Sequence, residues 1–404
     1  MLVAVLLASA LVAVACGSSK KATPAANTAA SGATTVAAAT TAKPATTAAA
    51  GTTAAPTATT AAAAGDAGLA AVKANVDKFS KADGGIGVKT PLTGKAPKKT
   101  IAWLECDVPT CSAYLTPGFK AATTALGWTL KIIPMKSTEP GPAFQEAIDA
   151  KVDYIASTGL GIAQYQPQLD AANKAGIKVL SCFGTDDPSP TTIQMQCGDE
   201  SFVQKTGPLM ADWAIAKSNG AANILIVSIP DFPILKVETD EVVKEIKSKC
   251  PKCTSEELNV TLADLIGGKV PASVVSKVQA NSKLNYVFYS FGDLPGGVTA
   301  ALTSAGLNKQ VTQFGQDFST IDLDEIIAGT MGAWSADPKG YAGWLMVDAA
   351  ARLSLGMPLT EERAAASLPS VIVDKADFAT TIKGTNGDWA PTGADAAFKK
   401  LWGV

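Results

Sequence analysis

The chain has 404 residues, with 34 Lys and Arg against 36 Asp and Glu, so its formal net charge is -2. This near-neutral balance, without a basic stripe, argues against a nucleic-acid-binding protein. Histidine is absent, which removes Ser-His-Asp and Cys-His catalytic groups and every histidine-containing metal site. We therefore expect no metal and no cofactor, and an enzyme would have to work through carboxylates or lysine.

The first segment has the features of an export signal. An uncharged apolar run over residues 2–15 precedes Cys16 and is too short to remain in a bilayer as a spanning helix. The small residues around Cys16 resemble a bacterial lipobox, in which the cysteine is lipidated and becomes the first mature residue. An ordinary cleaved signal with a chance cysteine is the alternative. The first interpretation predicts an extracytoplasmic protein anchored to the cell membrane, in the periplasm or on the outer face of the cytoplasmic membrane.

Residues 16–64 form a low-complexity segment after the signal. They are almost entirely Ala, Thr, Gly, Pro and Ser, and such a segment buries too little apolar area to become ordered. A coil of this length spans roughly 35–40 Å between its ends. We predict a disordered tether that holds the folded part away from the membrane; a glycosylated spacer would have the same mechanical role.

Residues 65–97 are predicted to form a short helix and an extension. Over 67–80 the apolar residues Leu69, Val72, Val76 and Phe79 recur on one helical face. A stretch rich in Gly, Pro and Lys follows, after which the pattern changes to strands alternating with helices.

This alternation begins near residue 98 and occurs twice. The first series of strands is predicted at Thr100–Glu105, Thr129–Pro134, Asp153–Ser157, Lys178–Phe183 and Ile193–Cys197, and the second at Asn223–Ile229, Tyr286–Phe291, Val311–Gly315 and a strand ending at Trp334. Strands separated by helical segments indicate β-α-β units and a parallel sheet. The fold class is therefore α/β, with two similar lobes that each contain a parallel sheet flanked by helices.

Six cysteines remain besides Cys16, an even number in an exported chain. The simplest framework pairs Cys106 with Cys111, Cys182 with Cys197 and Cys250 with Cys253. Because six cysteines allow 15 connectivities, this pairing by neighbourhood is a preference. A metal knuckle or redox pair is the alternative for the last pair, although a zinc site needs a second pair of ligands and none is obvious nearby.

Ligands of an open parallel sheet bind beyond the carboxyl ends of its strands. Six loops follow such ends in this chain, each contains an acid, and most contain an aromatic residue. Asp and Gly are also ordinary turn and cap residues, so any single loop can carry them by chance. Their recurrence in six equivalent loops favours a ligand site.

The chain resembles the type I periplasmic binding proteins of ABC importers, in the branch that includes sugar binders and sensors. The likeness covers residues 98–385 and rests on the β-α series and on local segments. These segments are GIKVLSCF at 176–183, VTQFGQD at 311–317, CDVPTC at 106–111, Ala-Asp-Trp at 211–213 and FKKLW at 398–402.

The resemblance implies two lobes joined by three crossings near 197–200, 334–338 and 370–375. Residues 98–199 and 336–370 would form the N-terminal lobe, and residues 200–335 and 371–404 the C-terminal lobe. A small solute would bind between the lobes and hold them closed, and a membrane permease would recognise the closed form of this monomer. No bond need be made or broken, so the chain is not expected to be an enzyme.

Position relative to the strand ends selects the candidate ligand-binding residues. They are Tyr114, Phe183, Asp186, Asp231, Phe232, Asp293, Asp317 and Trp334. Carboxylates accept hydrogen bonds from hydroxyl groups, and aromatic faces stack on the apolar faces of sugar rings. For the aromatic residues, packing in a lobe core or at the hinge is the alternative.

The sequence says less about the class of solute than about the fold. Sugar binders of this family commonly place an arginine in the cleft, but none falls in the predicted loops, and the nearby Lys236 lacks a planar fork. This counts against a carboxylate or phosphate ligand and leaves neutral polyols, cationic amines or partly apolar compounds. A sugar or related neutral solute is the first choice. A sensor that feeds a membrane receptor, an importer for an amine or aromatic compound, and an enzyme using Asp186 and Asp187 are the alternatives.

Overall fold

The computed structural model describes residues 59–81, 85–385 and 387–404, with side chains from residue 68 onward. The predicted signal peptide, the lipidation site Cys16 and most of the predicted linker lie outside these residues. Among the helices that the structure describes, none is long and apolar enough to cross a membrane.

The N-terminal lobe is built on a five-stranded parallel sheet of order β2-β1-β3-β4-β5. Its strands are β1 (Thr100–Cys106), β2 (Thr129–Met135), β3 (Tyr154–Thr158), β4 (Lys178–Cys182) and β5 (Met195–Cys197). Its helices include α2 (Thr116–Leu126), α3 (Gly141–Asp149) and α4 (Gln166–Lys174). The central strands are apolar and buried because helices cover both faces, as parallel sheets require.

The C-terminal lobe has a six-stranded sheet of order β11-β10-β9-β8-β6-β7, parallel except for β11. Its strands are β6 (Asn223–Ser228), β7 (Thr254–Asn259), β8 (Tyr286–Tyr289), β9 (Thr312–Gln316), β10 (Ala333–Ala336) and β11 (Val371–Val373). Its helices are α5 (Glu200–Lys217), α6 (Pro233–Lys249), α7 (Leu262–Ile266), α8 (Val270–Ala280), α9 (Val298–Ser304) and α10 (Thr320–Ala328). The α/β class with two parallel-sheet lobes is thereby confirmed.

Five further α-helices are described, besides two short helical turns at Cys111–Leu115 and Ile162–Gln164. They are α1 (Thr59–Phe79), α11 (Lys339–Ser354), α12 (Thr360–Ala364), α13 (Ala376–Lys383) and α14 (Ala394–Trp402). Helix α1 begins at Thr59, within the predicted disordered linker, because residues 61–64 are alanines with high helix propensity. It packs against α5 of the C-terminal lobe, where Asn75 donates to Asp212 across 2.7 Å.

Three neighbouring connections join the lobes, at β5 to α5, β10 to α11 and α12 to β11, and the chain passes between the lobes again from α13 to α14. In the first, Asp199 caps α5 by accepting a hydrogen bond from the Ser201 amide at 3.0 Å. The first and third connections are joined because the Gly198 amide donates to the Ala366 carbonyl at 2.8 Å. These connections place the carboxyl ends of both sheets opposite each other.

The last helix lies on a different lobe from the one predicted. Helix α13 packs on α10 of the C-terminal lobe, but α14 returns to α11 and α2 of the N-terminal lobe. There Phe398 and Trp402 stack on Trp344, and the Trp402 indole donates to Asp348 at 2.6 Å. The assignment of 371–404 to one lobe therefore differs from the structure, because the aromatic face of α14 finds its partners on α11.

The six described cysteines form three disulfides between sequence neighbours. The structure joins Cys106 to Cys111, Cys182 to Cys197 and Cys250 to Cys253. The second bond ties β4 to β5 beside the first connection, and the first closes the loop after β1. Within the residues that the structure describes, no group of three or more acidic or cysteine side chains could hold a metal ion.

Candidate functional site

A cavity of about 80 Å³ lies between the two lobes, where the carboxyl ends of the strands face each other. The N-terminal lobe contributes the loop after β1 with Val108 and Thr110, together with Gly159 after β3. The C-terminal lobe contributes the start of α6 and the loops after β8 and β9. The cavity thus occupies the position that the loop pattern of the sequence predicted.

Direct contacts join the lobes around this cavity. The Tyr114 hydroxyl lies 2.8 Å from the Thr320 hydroxyl, and the Thr110 amide donates to the Asp293 carboxylate at 3.3 Å. On the far wall, a Cβ at Gly159 would lie only 3.4 Å from the Phe232 ring, so the loops of the two lobes already touch there. The structure is therefore a closed arrangement.

An ion pair forms the floor of the cavity and also joins the lobes. Lys339 begins α11 of the N-terminal lobe, and its Nζ lies 2.6 Å from Oδ1 of Asp317, which follows β9 of the C-terminal lobe. The same ammonium donates to the Phe318 carbonyl at 2.8 Å and lies 4.8 Å from the centre of the Tyr114 ring. Only 3% of the Lys339 side chain is exposed, so this pair operates away from bulk water.

Two further carboxyl groups lie beside this pair. Asp337 lines the cavity, is buried, and lies 3.4 Å from the Ser335 hydroxyl. Among the described residues, no lysine or arginine forms an ion pair with it. Glu238 of α6 is fully buried behind the cavity, and neither of its carboxyl oxygens has a hydrogen-bond partner within the described part of the chain.

Burial sets the protonation preference of this acidic floor. It raises the pKa of Asp337 and of Glu238 well above the ordinary values, and the charge of Asp317 adds to both shifts. Burial also raises the pKa of Asp293, again with a contribution from Asp317. Burial alone would lower the pKa of Lys339, but the charge of Asp317, the hydrogen bond to it and the charge of Asp337 together outweigh burial and raise that pKa. The floor therefore favours an added proton or an added cation.

The walls of the cavity are aromatic. Phe183 and Phe202 meet edge to face with their ring centres 6.4 Å apart, near the first connection. Phe232 and Phe291 of the C-terminal lobe are also 6.4 Å apart. Phe183 has a φ of 57°, and Gly198 makes room for its ring, since a Cβ there would lie 2.5 Å from it. The strained backbone of Phe183 is thus held by its surroundings.

Asp317 also occupies a strained backbone position. Its φ is 63°, although it is not a glycine. Gly292, in the neighbouring loop after β8, accommodates this conformation, because a Cβ at Gly292 would lie 1.8 Å from the Asp317 carbonyl oxygen. Such strain is concentrated at functional sites and fixes the direction of the carboxylate.

The structure brings five of the eight candidate residues to the region between the lobes. Phe183, Phe232 and Asp317 line the cavity. Tyr114 and Asp293 line an adjoining groove and make the contacts between lobes described above. For these five, ligand binding stays a prediction that their positions favour.

The other three candidates have structural partners instead. Asp186 accepts a hydrogen bond from the Ile162 amide at 2.7 Å, and Asp231 accepts one from the Leu262 amide at 2.7 Å. Trp334 is fully buried and stacks on Tyr289 with ring centres 6.2 Å apart. The first two hold loops in place and the third belongs to the core, which were the alternatives that the sequence left open.

Sequence reasoning did not select several residues of the cavity. These are Phe202, Leu235, Phe291, Gln316, Asp337 and Lys339. Lys339 could have been selected from the sequence, because it is the only charged residue in the first two turns of α11 and lies next to a predicted crossing. The others lie in or beside predicted loops, where the sequence does not tell which side chain points inward.

Comparison with known proteins shows the fold and the family of this chain. Among solved structures, a carbohydrate transporter from Acidothermus cellulolyticus, in complex with myo-inositol, is 22% identical, with a TM-score of 0.58 over 72% of this chain and 99% of that chain. An ABC transporter solute binding protein from Agrobacterium vitis, with bound allitol, is 19% identical, with a TM-score of 0.59 over 71% and 99%. At these identities the likeness shows the two-lobed fold.

A third solved structure is a 5-methylthioribose transporter solute binding protein from Thermotoga lettingae, 20% identical, with a TM-score of 0.57 over 77% of this chain and 100% of that chain. No curated protein matches the sequence. The family model of the periplasmic binding protein domain matches residues 112–357, more than half of the chain. The chain therefore belongs to the periplasmic binding proteins of type I, an extracytoplasmic family that binds solutes rather than transforming them.

Proposed function

We propose that this protein is the solute-binding component of an ABC importer and captures a sugar or a related polar compound. The observation that carries the proposal is the closed cavity between the lobes, with aromatic walls and a buried polar floor. Solved structures of the same fold contain myo-inositol, allitol or 5-methylthioribose, which are all polyhydroxylated rings or chains.

The protein can capture a solute because each of the two lobes contributes part of the cavity. A solute can touch Thr110 and Phe183 on one lobe and Phe232 and Asp317 on the other only when the lobes are closed. Because it gains these contacts in one state, it shifts the population toward that state by its differential affinity. A membrane permease can then distinguish the loaded protein by the relative position of its lobes.

Membrane anchoring is the second part of the proposal. Lipidation at Cys16 and a tether of residues 16–64 would keep the monomeric lobes near the permease. The lipobox-like sequence supports this. We expect the full-length protein to partition into the detergent phase of a Triton X-114 separation and the Cys16→Ser variant to remain in the aqueous phase. An aqueous wild-type protein would contradict lipid anchoring.

The solute-binding role is tested by thermal denaturation and X-ray scattering. The purified protein is screened against sugars, polyols, amines and aromatic compounds, and a bound solute should raise Tm and reduce the radius of gyration of any open population. Phe232→Ala should weaken the response, whereas Ile327→Ala, a partly exposed residue of α10, should leave it unchanged. A library that changes neither Tm nor scattering contradicts the proposal.

A further inference from the structure

Two carboxyl groups line the floor of the cavity beside the ammonium group of Lys339. Asp317 and Asp337 present carboxylate oxygens, and Gln316 lines the same cavity. An ionised carboxylate only accepts hydrogen bonds, and a buried acceptor without a donor is costly. The floor of the cavity is therefore complementary to a solute group that donates hydrogen bonds.

Of the two carboxyl groups that line the floor of the cavity, only Asp317 has an ion-pair partner among the described residues. Lys339 neutralises Asp317 through the 2.6 Å ion pair, which leaves Asp337 and the buried Glu238 beside it. The other ammonium in this region belongs to Lys205, which donates to the Leu368 carbonyl and lies 5.2 Å from the centre of the Phe202 ring. Asp337 therefore faces the cavity without a direct ion-pair partner among the described residues.

The aromatic walls suit a cation as well as an apolar ring face. Phe183, Phe202, Phe232 and Phe291 all line the cavity. The face of a phenylalanine ring attracts an ammonium group within about 6 Å, and more strongly where water is excluded. Lys339 already shows this preference, since its ammonium lies 5.2 Å from the ring of Phe318.

We propose that the solute carries a protonated amine, held between Asp337 and the phenylalanine walls, on a body with an apolar face such as an amino sugar. An ammonium group only donates hydrogen bonds, and its positive charge can form the ion pair that Asp337 does not make within the described residues. A hydroxyl group at the same place would supply the donor and not the charge. This inference rests on the proposed solute-binding function and specifies its substrate class.

Matched pairs of compounds test the proposal on the purified wild-type protein. Calorimetry compares glucosamine with glucose, galactosamine with galactose, and phenethylamine with 2-phenylethanol, so that each pair differs only in the amine. N-acetylglucosamine serves as the amine whose charge has been removed. We expect at least one free amine to bind 10-fold or more tightly than its neutral counterpart, and acetylation to abolish that preference.

Variants of the protein then test whether the amine binds at Asp337. Asp337→Asn should reduce the affinity for the preferred amine at least 10-fold and change that for its neutral counterpart less than 2-fold. Asp240→Asn, an exposed carboxylate on α6, should change neither. Neutral compounds that bind as tightly as the amines, or an Asp337→Asn variant that keeps the amine preference, would overturn this proposal and leave the importer function standing. A panel in which nothing binds would overturn both.

Discussion

Lys339 joins the two lobes at the floor of the cavity. It belongs to the first turn of α11, yet its ammonium contacts Asp317 and the Phe318 carbonyl of the other lobe. Buried charges of this kind are stable only as a pair, because removing one partner leaves the other without compensation. Lys339 therefore supports the fold and the closed state together.

Lys339→Met should destabilise the protein strongly. The substitution leaves Asp317 buried without its cation, and we expect a loss of about 3–5 kcal/mol in the free energy of unfolding measured in urea. The double variant with Asp317→Asn should recover part of this loss. Lys236→Met removes an exposed ion pair with Asp240 and should cost less than about 1 kcal/mol. Equal effects of the two lysine variants would contradict the role assigned to Lys339.

Asp322 should make stability depend on pH. Burial raises its pKa to about 8, although the Ser319 amide donates to it at 2.6 Å. An acid with a raised folded-state pKa binds its proton more tightly when folded, so its effect favours folding at low pH. Its contribution to the free energy of unfolding therefore falls by about 1.4 kcal/mol per pH unit as pH rises from the unfolded pKa near 4 toward 8.

Asp322→Asn removes this titration and keeps an acceptor for the Ser319 amide. Relative to wild type, the variant should therefore gain stability progressively between pH 5 and pH 8 in urea denaturation. Asp324→Asn, on the exposed side of the same helix, is the matched control and should show no such trend. A stability difference between Asp322→Asn and wild type that is constant over this range would contradict the assigned pKa.

At the scale of elements, the sequence pattern predicts both edge strands of the N-terminal sheet but neither edge strand of the C-terminal sheet. Buried strands such as β1 and β8 are short apolar runs with β-branched and aromatic residues, which favour a strand over a helix. Strand β7 reads TSEELN and is half exposed, and β11 has three residues, so neither gives a clear pattern. These strands form because a neighbouring strand supplies their hydrogen bonds, and that neighbour is known only in three dimensions.

The sequence alone was also insufficient to identify which loop residues face the cavity. The rule for parallel sheets correctly placed the cavity at the strand ends, since it depends on topology. It did not distinguish Asp317, whose carboxylate meets Lys339, from Asp231, which holds the Leu262 amide. Both follow a strand, and the difference lies in which backbone amides are free nearby.

Helix α14 should contribute to the stability of the N-terminal lobe. Trp402→Ala removes the stacking on Trp344 and the hydrogen bond to Asp348, and we expect a loss of about 3–5 kcal/mol in urea denaturation. Val404→Ala, two residues on and 58% exposed, should change stability by less than about 0.5 kcal/mol. A Trp402→Ala variant as stable as Val404→Ala would show that α14 does not dock as described.

At the scale of the whole molecule, closure is a balance between contacts that join the lobes and the freedom of the three connections. The direct contacts at the mouth of the cleft are few, and the Tyr114–Thr320 hydrogen bond at 2.8 Å is the shorter of the two described above. A single hydrogen bond is worth about 0.5–1.5 kcal/mol, which is enough to change the population of two states of similar energy several-fold.

Tyr114→Phe should therefore open the protein without unfolding it. The variant keeps the ring beneath the Lys339 ammonium and loses the hydroxyl bonded to Thr320. We expect a larger radius of gyration in solution X-ray scattering of the unliganded protein and a solute affinity reduced about 2- to 10-fold. Tyr286→Phe, at the end of β8 that points away from the cleft, should change neither quantity. Identical scattering from Tyr114→Phe and wild type would mean that closure does not depend on the Tyr114–Thr320 hydrogen bond, and that the other contacts between the lobes hold them together.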